Sequence, residues 1–470
     1  MRVPTPQAIF DWIRLIYEQG IRRPGTPADR WTIEFCENFL LDLGVEKVRL
    51  EPVPLAAWEP SSWALRVRDP EGERPVRCFP LPYSAPTREI ELDLVAYDPR
   101  APERVAGAAS LHDVRLLELP AQAPVALGRA AAPGLSDLSI EIHAGGRVVD
   151  PRGSLEATRQ RLPFGPEIQQ VMEPAIAAGA AAYVGSLVDY PGDSCEYYVP
   201  YDGIARPIPG LWIPGSEGAR LRAALARAPV RVELRVDSRR SPITSHNVVG
   251  ELAGADDETV VIGSHHDGPW SSAVEDASGV ALVLAQAAYW SSLPRRERPH
   301  RLVFVIQAGH MAGGAGCRAF LEAHARELDR IVLEVHLEHA ASEWVEQAGH
   351  WLPSGEPEPR WFFSSRNPQL EAAVLDALTR EGLDRSLILP PDVFGDQPTS
   401  DGGPFHLAGV PLVQYLTAPF YLFDRSDTLE RVHVPSLVPV TRAAIRIIQS
   451  TAGVSAATMR AGVIDVGAAR

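Results

Sequence analysis

Polar and apolar positions alternate in two textures along the chain. Ile9, Phe10, Ile13, Leu15 and Ile16, interrupted by Asp11 and Arg14, recur at helical spacing and predict an amphipathic helix within residues 1–23. Residues 30–43 repeat helical spacing, and 46–54 alternate like a strand. From about residue 74 to 237 short apolar runs (115–119, 125–127, 231–236) are broken by many Pro and Gly, the texture of a β-rich module. Within it, residues 174–182 read as a short helix. After a Ser/Arg/Pro-rich joint at 238–244 the pattern becomes regular: strands at 247–252, 259–264, 301–307 and 331–337, with helices at 278–290 and 316–328. Continuous apolar strands alternating with helices predict an α/β fold, a mixed, mostly parallel central sheet covered by helices. The expected division is 1–73 (first part of the main domain), 74–238 (β-rich insert) and 239–470 (the rest of the main domain).

Composition narrows the function. At 470 residues the chain exceeds one ordinary core, and 45% hydrophobic with 22% charged residues suits a folded globular protein. A net charge of −15 argues against nucleic acid and anionic membranes as partners, and favours a small-molecule or short peptide-like substrate. A homo-oligomer is left open. No run approaches the roughly 20 apolar residues of a membrane span, and residues 1–23 lack the apolar core of a signal peptide, so a cytoplasmic location is expected. Four scattered cysteines without CxxC spacing suggest neither a disulfide framework nor a thiolate zinc site.

The chemistry-bearing residues stand where strands end. Strand 259–264 runs into His265, His266 and Asp267; strand 301–307 into His310; strand 331–337 into Glu338 and His339. Glu275 and Asp276 open the helix that starts near 278. In open α/β sheets ligands bind beyond the carboxyl ends of strands, and imidazole with carboxylate oxygen is a donor set for zinc, manganese or iron(II). One such His is more often merely solvated or hydrogen-bonded, and an acid before a helix is usually a cap, which Asp276 alone would be. Four at consecutive strand ends point to a site. His112, His143, His246, His324, His350 and His433 lack this context.

These motifs resemble the di-zinc aminopeptidase family, which includes bacterial leucine aminopeptidases, glutamate carboxypeptidase, glutaminyl cyclases and the transferrin receptor. Gly263-Ser264-His265-His266-Asp267 is similar to its His-x-Asp strand end, and Val274 to Gly279 to its Asn-Asp-Asn-Ala-Ser-Gly helix start. Ser400-Asp401-Gly402-Gly403-Pro404-Phe405 and Gly409-Val410-Pro411 are similar to its later elements. The insert, with residues 178–181 and 208–213, resembles a protease-associated domain.

The resemblance implies that His265, Glu275 and Glu338 hold one divalent cation, zinc or manganese. It also implies that the second metal's own ligands are replaced: His310 and Met311 stand at the Glu-Glu pair, and Phe423 at the late His. Asp267 is expected to accept the proton of His265. His310 is either a fourth ligand or the general base, with the base role favoured. His266, Asp276, His339, Asp401 and Phe423 are further candidates for metal or substrate contact. Trp270, Phe405, Phe420, Tyr421 and Phe423 suggest an aromatic-lined pocket. The expected activity is hydrolysis of an amide or amine C–N bond of a small substrate through one metal-activated water. The alternatives are a metal-free binding or assembly protein, and a conventional aminopeptidase.

Overall fold

The computed structural model describes residues 3–131 and 146–463. At the centre of its long mixed sheet, Thr259–His265 pairs in parallel with Arg301–Gln307 on one side and Ile331–Leu337 on the other. Leu412–Thr417 continues the parallel order and Arg360–Ser364 joins it antiparallel. The three central strands are largely apolar and buried along nearly their whole length because both faces are covered. The covering helix Gly279–Ser291 (GVALVLAQAAYWS) has no polar stripe, being buried everywhere except at the half-buried Ala288 and Ser291. The mixed, mostly parallel sheet read from the sequence is therefore the fold of the main domain.

The first helix, Pro6–Tyr17, starts at a Thr5 cap with proline in its first turn. It buries Ile9, Ile13 and Ile16, a narrower stripe than the sequence pattern, since Leu15 is exposed. It packs against the turn at 273–278, which carries two site carboxylates. Residues 125–127, expected as a β run, lie in the helix Ala123–Ala131.

Between residues 65 and 236, Thr87–Ala96, Ala109–Val114, Ala182–Leu187 and Gly210–Pro214 form a parallel row around a separate buried cluster that includes Val67, Leu111, Val184 and Ile213. This row joins the central sheet through one long antiparallel ribbon, Glu46–Asp69 against Val230–Leu252, paired from Glu46↔Glu251 to Arg68↔Arg231. The joint expected at 238–244 is thus continuous strand. Between Val236, the end of pairing with 87–96, and Val248, the start of pairing with 301–307, this strand has a partner on one edge only. Pro242, which lacks an N–H, is tolerated on such an edge. Among the described residues no helix is long and apolar enough to cross a membrane.

Candidate metal centre

Parallel register brings the strand ends together, with His265 opposite Gln307 and Gly263 opposite His336. His265 Nε2 lies 3.4 Å from Glu275 Oε1, 3.9 Å from Asp276 Oδ2 and 3.9 Å from Glu338 Oε1. His339 Nε2 lies 2.5 Å from Glu275 Oε2 and 3.8 Å from Glu338 Oε2. Ligand atoms of His265, Glu275 and His339 all fall within 4.8 Å of one another, as do those of His265, Asp276 and Glu338. His265 Nε2, both Glu275 oxygens, Glu338 Oε2 and His339 Nε2 are buried, yet none has a partner in hydrogen-bonding geometry. Buried polar atoms are rarely left so. Five orphaned donor atoms converging from two strand ends and one helix start fit a divalent cation.

The imidazoles are aimed from behind. His265 Nδ1 donates to the Asp267 carbonyl at 2.9 Å and His339 Nδ1 to the Thr417 carbonyl at 2.8 Å, so each ring turns Nε2 to the centre. Glu275 is gripped through its backbone. Asp427 accepts the N–H of Val274 at 2.9 Å and of Glu275 at 2.8 Å. The fully buried Arg22 guanidinium donates to the carbonyls of His266, Ser271, Ser272 and Glu275. The Glu275–Asp276 peptide is cis.

Several expected roles change. Asp267 does not take the His265 proton through its carboxylate, which stays 3.8 Å from Nδ1; those oxygens accept the His310 and Met311 N–H groups at 3.0 and 2.8 Å and hold that turn. His266 faces away from the centre, with Nδ1 2.9 Å from Asp29 and Nε2 donating to the His246 carbonyl. Asp276 caps the helix start, accepting the Gly279 N–H at 2.9 Å, while its other oxygen takes the Ser264 hydroxyl. Phe423 is packed in the core, 4.7 Å from the Tyr201 ring. Of the expected pocket aromatics, Phe405 belongs to a core cluster, and Trp270 and Tyr421 are buried and hydrogen-bonded to backbone carbonyls. His143 lies outside the described residues.

His310 stacks on His265 with centroids 4.1 Å apart, and its other side meets Tyr201 at 5.3 Å. Its Nδ1 lies 3.1 Å from Asp401 Oδ1 and its Nε2 4.0 Å from Glu275 Oε1. Arg22, Tyr201, Glu334 and His336 went unnoticed in the sequence, and Ser400 and Asp427 were given no role there. Only the alternation Glu334-x-His336-x-Glu338 within an apolar strand carried a local signal.

Burial, with His310 beside it, pushes His265 well below the usual imidazole range, so it is neutral. For His310 and His339 burial also works against charge, but Asp401 beside His310 and Glu275 beside His339 outweigh it, raising each to about 10. Burial pushes Asp276 well above the carboxylate range. Burial likewise works upward on Glu338, but His336 against it holds it low. Without a cation, then, protons on His310 and His339 balance the carboxylates; a dication displaces such protons.

Residues 247–448 match the model of peptidase family M28. No curated protein matches the chain by sequence. Among solved structures, a peptidase M28 precursor from Shewanella amazonensis superposes with a TM-score of 0.69 at 18% identity, over 95% of this chain and 94% of that one. A zinc aminopeptidase from Bacillus subtilis gives 0.66 at 15% identity, over 99% and 100%. An aminopeptidase from Aneurinibacillus sp. strain AM-1 gives 0.61 at 18%, over 95% and 93%. At such identities the likeness is one of fold, and it spans nearly the whole chain. The segment that carries all the strand-end donors, residues 247–448, is thus similar to peptidase family M28, and the chain shares its fold with a zinc aminopeptidase from Bacillus subtilis.

Proposed function

We propose that the chain hydrolyses a C–N bond of a small substrate at a single zinc or manganese ion held by His265, Glu275, Glu338 and His339. The observation that carries this reading is the set of orphaned donor atoms on those four residues. The place of a second ion is taken by side chains that cannot ligate one well: Met311 is fully buried, and Phe423 packs against Tyr201. A bound dication supplies Lewis acidity and makes a nucleophilic water available near neutral pH.

The chain's own residues do the rest. Asp401 orients His310 through Nδ1 and leaves Nε2 toward the centre. There Nε2 takes a proton from the attacking water and returns it to the departing nitrogen, as the water oxygen bonds to carbon and the C–N bond breaks. Tyr201 covers the far face of His310 and excludes water.

A cleft of about 770 Å³ accounts for substrate binding, within the usual range for small-molecule sites. Leu116, Leu117, Leu162, Phe164, Ile168 and Phe394 give it an apolar lining. Its lining residue Thr399 directly precedes Ser400 and Asp401 in the chain, and Ile168 directly precedes Gln169, whose side chain accepts the Tyr201 N–H at 3.0 Å. An amide or amine with an apolar, aromatic-sized group fits it. Elemental analysis of purified protein tests the reading: about one zinc or manganese per chain, lost in His265→Ala, is expected. Two ions per chain overturn the single-ion mechanism, and none favours a non-catalytic binding protein.

A further inference from the structure

The strand Ile331–Leu337 does more than deliver Glu338. Side chains on a strand alternate, so Glu334, His336 and Glu338 share one side, and all three are fully buried. His336 Nδ1 lies 3.0 Å from Glu334 Oε1, and Nε2 lies 2.8 Å from Glu338 Oε1. The Ser400 hydroxyl donates to that same Glu338 oxygen. Glu338 therefore has one oxygen anchored twice, while the other, Oε2, is bare and faces His339. The adjacent strand makes room for this column: a Cβ on Gly263 would lie 3.2 Å from His336 Nδ1 and 3.4 Å from Glu334 Oε1. Packed apolar side chains in place of buried ionisable ones are often neutral or stabilising, so fold stability does not explain a Glu-His-Glu column in a central strand. Its position directly behind Glu338 does.

We propose that His336, backed by Glu334, is a positioning residue that locks the Glu338 carboxylate so that Oε2 alone is presented to the cation. This rests on Glu338 being a ligand of the proposed centre. Removing a partner that holds a metal ligand weakens metal binding by about 10–100-fold.

The test is zinc affinity by chelator competition, alongside thermal unfolding of the metal-free protein, for wild type, His336→Leu and His336→Gln. His336→Leu removes the anchor and His336→Gln keeps an N–H donor on the side facing Glu338. The expected result is zinc binding about 10–100-fold weaker in His336→Leu, recovery to within roughly threefold of wild type in His336→Gln, and a lower metal-free unfolding temperature in His336→Leu, which leaves Glu334 and Glu338 without their shared imidazole. Zinc affinity in His336→Leu within threefold of wild type overturns the proposal, as does His336→Gln falling equally far. Should His336→Leu fail to fold, the same comparison is read on His336→Asn, too short to reach Glu338. A wild type that takes up no zinc removes the metal centre and this inference together; a zinc-binding wild type with an indifferent His336→Leu removes this inference alone.

Discussion

The two sides of the His265 ring are built from opposite materials. Toward Glu275, Glu338 and His339 lie donor atoms without a hydrogen bond, held only by close charge pairs such as His339 with Glu275. On the other side the His265–His310–Tyr201–Phe423 stack continues without a break, with Met311 buried beside it. Polar atoms left unsatisfied cost stability that a ligand can restore, whereas stacked rings satisfy themselves by contact. The contrast teaches that one imidazole can border both a cluster of bare donor atoms and a wall of packed rings.

The largest effect that would break this contrast is loss of the bare side. Structural zinc sites are worth about 10–16 kcal/mol over four ligands, or about 3–4 kcal/mol each, so His265→Ala is expected to weaken zinc binding by roughly 10²–10³-fold. Isothermal titration reads this directly, and unchanged affinity would remove His265 from the ligand set. The wall is probed next. Asp401→Asn, which disturbs the partner of His310, is expected to lower kcat by ~10²–10³ with zinc content unchanged; a fall in zinc content instead would make His310 a ligand. In the cleft, Phe394→Ala is expected to raise KM by about tenfold with little change in kcat, as for lost uniform binding. A kcat effect of equal size would place Phe394 nearer the reacting atoms than the cleft geometry allows.

The remaining effect lies away from both sides and calibrates them. Burial raises Glu358 from 4.5 to about 8, only partly offset by the amide of Gln160. A carboxyl raised on folding means that the native state holds the proton longer, so stability falls as pH rises from about 4.5 to 8 and is level above that. Glu358→Gln is expected to flatten this slope in unfolding measured across that range. A slope unchanged in the variant would assign it to another group, the site carboxylates included.

The fold was legible because central strands and their covering helix advertise burial on both faces; 259–265, 301–307 and 331–337 were readable from apolar runs alone. His265, Glu275 and Glu338 were readable because each interrupts such a run at a strand or helix end. His339 stood among the lesser candidates, since sequence cannot show that its φ of 51° swings the ring back toward Glu275. The role of Asp267 was misjudged for a similar reason: whether carbonyl or carboxylate meets His265 Nδ1 depends on backbone angles. The ribbon strand through 238–244 hid because one unpaired edge tolerates joint-like Ser, Arg and Pro. The holding roles of Arg22 and Asp427 left no local trace, their partners lying 244–253 and 152–153 residues away.

That last separation bears on how the protein is made. The peptide carrying Glu275 is grasped by a guanidinium near the start of the chain and a carboxylate near its far end. While residue 427 is still unsynthesised, the N–H groups of Val274 and Glu275 lack their acceptor, and the pincer stays open on the ribosome. On the proposed reading, the loop that would present Glu275 to a cation is held from both sides only once residue 427 has left the ribosome.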